Sequence, residues 1–392
     1  MVQNREENGR LVISLFGEID STNAPETEEE IREIRRMTPS RVVELDCEKL
    51  KYASSAGLRM ILRLIQETDK VIISNVHPEM YEILEMTGFT EMAEVKKAYR
   101  VIPVEGCEII GQGANGKVYR IDRDTIVKVY LNPDALPEIH RERDLARLAF
   151  VAGIPTAIPY DVVRIPDGSY GSVFEMLNAK TFAQLLTAGE KTTDEIARMS
   201  TDLLKFIHSR EVHSEILPDM KAVALNWAAF LADYLPAEQY EKLHALIEAV
   251  PEDDHVIHGD YHVKNIMYQN NEYLLIDMDT LSHGHPIFEL ASMYNSYVGY
   301  GLTDPEIFIK FLGLPAETCH TLWWKSLEYY LRTSDAEILN RVEDKARVIG
   351  LTRVMRREIR RNGLNREDGR KLIEACRENL AELLPRVDSL VF

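Results

Sequence analysis

Cysteine is scarce in this sequence. The 392 residues contain 4, at Cys47, Cys107, Cys319 and Cys376. They lie far apart and form no Cys-x-x-Cys pair. That spacing excludes a disulfide framework and a zinc ribbon, and reads as free thiols in a reducing cytosol. No run of about 18 apolar residues occurs, which excludes a membrane-spanning helix. The opening MVQNREENGR is polar and is followed by only a short apolar stretch, so no secretory signal is expected. Positive charge is outnumbered: 46 Lys+Arg stand against 64 Asp+Glu, a net charge of −18. An acidic chain argues against broad binding to nucleic acid or to an anionic membrane. The expected location is cytoplasmic, with no nucleic-acid partner and no membrane partner. No Gly/Ser linker and no internal repeat mark a domain boundary, so organisation must come from pattern.

What is present suffices for more than one core. Chains of this length form two or three domains, and a hydrophobic fraction of 45% supplies the apolar material they need. Residues 11–18 are an apolar run suited to a strand, residues 25–37 carry Ile31, Ile34 and Met37 at helical spacing, and residues 41–46 alternate as a strand. Residues 56–67 place Leu58, Ile61, Leu62 and Ile65 on one helical face. Residues 71–74 read as a strand and 78–87 as a helix. Alternating short strands and helices predict a small α/β domain over residues 1–100. The rest, 101–392, starts with strand-like residues 105–130 and turns helical after about 180, the outline of a two-lobed domain. Stretches 198–213, 222–249 and 305–385 read as helical.

Three segments of the second block carry chemistry. Gly111-Gln112-Gly113-Ala114-Asn115-Gly116 has the spacing G-x-G-x-x-G, and glycine lets backbone amides approach a polyphosphate. In a dinucleotide-binding turn a helix should follow. Here Val118-Tyr119-Arg120-Ile121 follows and reads as a strand, which fits a strand–loop–strand phosphate cover better. Lys128, between branched apolar residues, can reach phosphates from below such a loop. Its carboxylate partner is Glu142 or, one turn earlier, Glu138. The third segment is His258-Gly259-Asp260-Tyr261-His262-Val263-Lys264-Asn265, followed by a Gln-Asn-Asn-Glu turn and Ile276-Asp277. It gathers three oxygen ligands around one point. Asp260 can orient or deprotonate an attacking hydroxyl, and Asn265 and Asp277 can hold Mg2+, which prefers oxygen donors. His258, His262, His283 and His285 follow no recognised zinc spacing and read as loop or core histidines. Trp323-Trp324 and Tyr329-Tyr330 read as core, and Arg353–Arg361 as a solvated helix face or a dock for the acidic front domain.

In order and spacing, residues about 105–300 resemble the kinase-like phosphotransferases of the aminoglycoside phosphotransferase and choline kinase branch. The resemblance implies an α+β bilobal protein-kinase-like domain with a helical C-terminal region, an N-lobe of about 105–177 and a C-lobe of about 178–392. It implies ATP bound through Gly111, Gly113, Asn115, Gly116, Lys128 and Glu142, and through a hinge at Phe174–Leu177 that includes Glu175 and Leu177. It also implies catalytic Asp260 and Mg2+ on Asn265 and Asp277. Glu289 stands where this branch usually has Asp, and Lys264 where small residues are common. The short gap from Asp277 to Pro286 leaves no room for a long activation segment, which favours a small-molecule hydroxyl acceptor.

Residues 10–97 resemble the STAS domain of anti-anti-sigma factors, through Gly17-Glu18-Ile19-Asp20, Leu45-Asp46 and Ser54-Ser55-Ala56-Gly57-Leu58. That resemblance implies an α/β N-terminal domain, makes Ser55 the candidate phosphosite and implies a STAS-binding regulatory protein as a partner. The family often has Asp where this chain has Ser54. The expected activity is an ATP/Mg-dependent phosphotransferase acting on a hydroxyl of a small molecule. The alternative is a Ser/Thr protein kinase acting on a STAS domain, its own Ser55 or a partner's.

Overall fold

A computed structural model describes residues 2–7, 9–113, 116–132, 134–212 and 216–392. Two compact units emerge. The first holds Met1–Gly106 with Val162–Gly171, and the second holds Cys107–Asp161 with Ser172–Phe392.

The first unit is built on a five-stranded sheet, in the order Val2–Glu7, Arg10–Ile19, Val42–Ala53, Lys70–Val76, Glu94–Lys97. The first pair is antiparallel and the others parallel, with Leu11 opposite Val43 and Val43 opposite Val71. Parallel strands need covered faces. Helices Ala24–Met37, Ser55–Gln66 and Pro78–Met86 supply the cover, and Leu11, Ile13, Leu15, Leu45, Ile61 and Ile73 are almost wholly buried among them. The edge strand Val2–Glu7 escapes sequence reading because VQNREE has no apolar alternation and is largely exposed. In the same unit Val163 and Arg164 pair in parallel with Arg100 and Val101.

Ser54, not Ser55, caps helix Ser55–Gln66. Its Oγ accepts from the amides of Ala56 at 3.2 Å and Gly57 at 3.5 Å. Ser55 is the first helical residue and its side chain is exposed. Gly57 allows this helix to approach the sheet: a Cβ there would lie 2.9 Å from Ile19 Cγ2 and 3.0 Å from Ile19 O.

The second unit begins with an antiparallel meander, Glu108–Gln112, Gly116–Arg120 and Thr125–Tyr130, and strand Tyr170–Glu175 lies beside the last of these. Helix Leu136–Val151 follows the meander. The remainder is mostly helical, and Trp323 is fully buried in its core. The expected stretch 222–249 is two helices, Met220–Phe230 and Ala237–Glu248. A 3-10 turn at Leu231–Asp233 and Pro236 separate them, because proline lacks the N–H that a continuing helix needs. The expected stretch 198–213 is helix Thr193–Ile207, started by a capping box in which Thr192 and Glu195 satisfy each other's backbone amides. Helix Ile287–Tyr297 is buried at every residue. Among the described residues no helix is long and apolar enough to cross a membrane. All four cysteines are free, and burial pushes the Cys47, Cys319 and Cys376 thiols up to about 12.

Because Ser54 holds the cap, Ser54→Ala should destabilise the first unit by about 1 kcal/mol. Ser55→Ala should change it by less than about 0.5 kcal/mol. Urea unfolding of the two variants checks the order; equal losses would place the cap elsewhere.

Candidate active site

The glycine-rich turn joins two strands, as expected. Gly113 N–H donates to Gly116 O at 3.0 Å, and the flanking strands pair Gly111 with Val118. Ala114 and Asn115 lie outside the described residues. The three glycines are not equivalent. A Cβ on Gly113 would meet open space, whereas one on Gly116 would lie 2.4 Å from Val129 O. Gly116 is therefore demanded by the neighbouring strand, whatever approaches the loop.

Lys128 sits mid-strand in Thr125–Tyr130, one residue from fully buried Val127, so alternation turns it to the other face. Its Nζ donates to Glu142 Oε1 at 2.8 Å, to Glu142 Oε2 at 3.1 Å and to Asp277 Oδ1 at 2.9 Å. Glu142 lies on the buried face of helix Leu136–Val151, whereas Glu138 is exposed, which settles the choice between them. Tyr130 O–H donates to Glu142 Oε2 at 2.6 Å. Burial opposes charge on Lys128, yet Asp277 and Glu142 hold its ammonium well above the ordinary lysine range.

The hairpin that joins Asn265 to Asp277 explains their meeting. Strands Ile266–Gln269 and Glu272–Leu275 pair through a turn whose Asn270 and Asn271 have φ of 50° and 66°, the left-handed values of a two-residue hairpin. Ile276 N–H then bonds Asn265 O at 3.0 Å, so the residues flanking the hairpin lie side by side. Asn265 Nδ2 donates to Asp260 O at 3.0 Å and contacts Asp260 Oδ2 at 3.4 Å. Asp260 Oδ2 is 3.5 Å from His262 Nε2. Burial would raise the Asp260 carboxyl, but His262, Arg353 and His258 pull it well below the usual range.

Asp279 escaped sequence reading. It follows Asp277 by two residues, and burial together with the Asp277 charge pushes its carboxyl up to about 7. A carboxylate repeated at that spacing is its only sequence signal.

The loop carrying Asp260 is pinned from below. Glu289, fully buried, accepts from His258 N–H at 2.6 Å and from Gly259 N–H at 3.0 Å. Gly259 has φ +80°, and a Cβ there would lie 2.5 Å from Thr280 O. Ser292 Oγ and Arg353 Nη1 both donate to Gly259 O, each at 2.8 Å. Arg353 thus corrects the expectation of a solvated basic face: it crosses 94 positions of sequence to reach the loop. The histidines have separate partners. His258 Nε2 lies 3.3 Å from Ile276 O, His283 Nδ1 lies 2.9 Å from Asp253 O, and His285 Nδ1 accepts from Ile287 N–H. Among the described residues no group of three or more His, Cys, Asp or Glu is arranged to hold a metal ion. Lys264 is exposed. Glu175 ends strand Tyr170–Glu175 and Leu177 lies two residues beyond it, and between them Met176 N–H bonds Asp124 O at 2.8 Å. Among the described residues, no hydrogen bond joins either of them to the Lys128 cluster.

Glu289→Ala should leave two buried amides without acceptors and destabilise the second unit by roughly 2–4 kcal/mol. Urea unfolding measures that loss. A variant as stable as the parent would show that the amides have other partners.

Comparisons with known proteins identify the family and the fold. The model of the phosphotransferase enzyme family matches residues 106–309, and that of the STAS domain matches residues 1–101. An anti-sigma factor antagonist of Bordetella bronchiseptica, BtrV, is 34% identical over 92 residues, which are 22% of this chain and 78% of that protein. Two structures of a thermostable mutant of aminoglycoside phosphotransferase APH(4)-Ia share the fold. The apo form matches with a TM-score of 0.50 at 12% identity, over 71% of this chain and 95% of that one. The complex with AMP-PNP and hygromycin B matches with a TM-score of 0.50 at 12% identity, over 71% and 94%. The fold is therefore an α/β STAS domain followed by a kinase-like domain with a helical C-terminus, and the chain belongs to the phosphotransferase enzyme family, with a STAS domain at its front.

Proposed function

We propose that this chain transfers the γ-phosphate of ATP, with Mg2+, to a hydroxyl of a small molecule, and that residues 1–100 are a regulatory or docking domain for residues 101–392. The observation that carries the reading is Lys128, whose one ammonium is shared between Glu142 and Asp277. That fixed ammonium supports a phosphate-contacting role for Lys128. Asn265 and Asp277, on either side of the hairpin, supply oxygen donors of the kind a hard cation prefers.

Each residue then has a role. Gly111, Gly113 and Gly116 cover the phosphates, with Asn115 in the same turn. Lys128, oriented by Glu142, steadies the phosphate chain. Glu175 and Leu177 form the hinge that accepts the base. Asn265 and Asp277 would hold Mg2+, which supplies positive charge against the phosphate oxygens. Asp260, kept ionised by its neighbours, accepts the proton of the acceptor hydroxyl. The acceptor oxygen bonds to the γ-phosphorus, the bond from that phosphorus to the bridging oxygen breaks, and ADP leaves with the electron pair.

The acceptor reading draws on the stretch after Asp277. It holds a 3-10 turn at Met278–Thr280 and a two-residue strand, and helix Ile287–Tyr297 begins at once. No long segment intervenes on which a peptide would dock. The absence of an apolar span and the free thiols fit a cytoplasmic enzyme.

A second reading, a protein kinase acting on a STAS domain, is favoured by one observation: Ser55 presents an exposed hydroxyl at a helix start. Phosphate there would gain from the helix dipole.

Asp260→Asn should retain ATP binding and lose turnover by about 10²–10⁴. ADP release in a panel of hydroxylated acceptors reads this, and an unaltered rate would remove Asp260 from the mechanism. Intact-mass measurement after incubation with Mg·ATP separates the two readings. A gain of about 80 Da, one phosphate, that disappears in both Asp260→Asn and Ser55→Ala supports transfer to the STAS serine. Acceptor turnover without that species supports the small-molecule reading.

A further inference from the structure

The acidic chain contains a run of arginines that begins at Arg353, beside the Asp260 loop. Helix Ala336–Arg360 and its C-cap carry Arg353, Arg356, Arg357, Arg360 and Arg361. The intervals of three, four and seven residues put Arg353, Arg356, Arg357 and Arg360 along one side of the helix. Arg353 anchors the near end, donating to Gly259 O one residue before Asp260. At a rise of 1.5 Å per residue, Arg357 stands about 6 Å and Arg360 about 10 Å further along the helix.

Aromatic rings back this row. Arg353 lies 5.4 Å from the Trp227 ring, Arg356 5.7 Å from Phe230 and Arg357 4.8 Å from Tyr300. Tyr300 stacks edge-on with Phe311, which in turn meets His262, the neighbour of Asp260. Packed rings thus connect His262, beside Asp260, to Arg357.

The row forms no close ion pair among the described residues, although Asp260 acts on Arg353 and Glu358 on Arg361 from further off. Among the described residues none of the five arginines has a carboxylate partner within 4.0 Å, although other arginines of this region do: Arg347 pairs with Asp344, and Arg366 takes Glu358, the nearest acid on the same helix. Buried Arg356 Nε has no hydrogen-bond partner. Burial, with Arg360 and Arg353, holds the Arg356 guanidinium below its ordinary range, and Arg357 does the same first for Arg361. Like charges one helical turn apart repel, so the row is a stored demand for an anion. Guanidinium forks match the oxygens of phosphate and carboxylate.

We propose that the acceptor is anionic: a hydroxylated small molecule whose phosphate or carboxylate is clamped by Arg356, Arg357 and Arg360 while its hydroxyl lies at Asp260. This rests on the phosphotransferase reading above and narrows its substrate class. The three clamp arginines stand about 4–10 Å along the helix from Arg353, the residue that touches the Asp260 loop. Polycationic aminoglycosides are repelled by the same row.

The test titrates inorganic phosphate and, separately, kanamycin into the full chain saturated with Mg·AMP-PNP, so that the nucleotide site is already filled. Calorimetry on the parent, on Arg356→Gln/Arg357→Gln and on Arg341→Gln, whose arginine pairs with Glu337 on the same helix, reads the cluster. Phosphate binding should weaken on the order of 10–100-fold in the double variant, the loss of one or two charged hydrogen bonds, and stay unchanged in Arg341→Gln. Arg357→Lys, which keeps the charge but not the fork, should fall between. Equal phosphate affinity in parent and double variant, or kanamycin binding tighter than phosphate, overturns the proposal. Failure to bind AMP-PNP would count against the phosphotransferase reading alone, and the phosphate titration of the nucleotide-free chain, parent against double variant, would still judge the arginines.

Discussion

The site depends on one ammonium shared by two carboxylates. Lys128 Nζ sits within 2.9 Å of both Glu142 and Asp277, which come from a helix 14 positions away and a loop 149 positions away. Its side chain is only 17% exposed, so solvent screens the contact weakly. Removing the lysine would leave Glu142, itself buried, with the Tyr130 hydroxyl as its remaining side-chain hydrogen-bond partner among the described residues. Because the folded state raises the Lys128 pKa, its stabilisation is complete below about pH 10, the unfolded value. It is lost only as pH rises further through the folded value. Over the neutral range the Lys128 ammonium stays charged.

A second constraint stiffens the opposite side of the site. The backbone around Asp260 is tied from three directions: Glu289 receives its amides, Thr280 Oγ1 donates to His258 O, and Arg353 with Ser292 covers Gly259 O. Glutamate where the branch usually has aspartate still reaches both amides. Helix Ile287–Tyr297, buried all round, supplies a rigid base for Glu289 and Ser292. The C-terminal helices therefore do more than enlarge the core. They deliver Arg353 to the loop and set the arginine row beside it.

The front domain obeys the same economy of polar groups. Asp46, mostly buried, accepts from Asn75, Ser14 and the amide of Glu48. Burial alone would raise its carboxyl, and those bonds with Arg5 hold it below the usual range. Of the two adjacent serines, Ser54 is committed to the cap and Ser55 presents its side chain to solvent.

Much of this was legible in the order of residues. The periodicity of residues 11–87 located the principal strands and helices of the first domain, because apolar alternation is a local property. The motif around Asp260 was legible because a turn with two asparagines must bring its flanks together, and Asn265 and Asp277 are those flanks. Tertiary structure decided the rest. Periodicity could not choose between Glu138 and Glu142, one turn apart on one helix; only the packing face of that helix did. Nothing near Gly116 in sequence shows that Val129 O would occupy the space of a side chain. Arg353 looked like part of a solvated basic stretch because its partner, Gly259 O, is 94 residues away. Local propensity reports which side chains share a face, whereas pairing across the chain depends on how the faces meet.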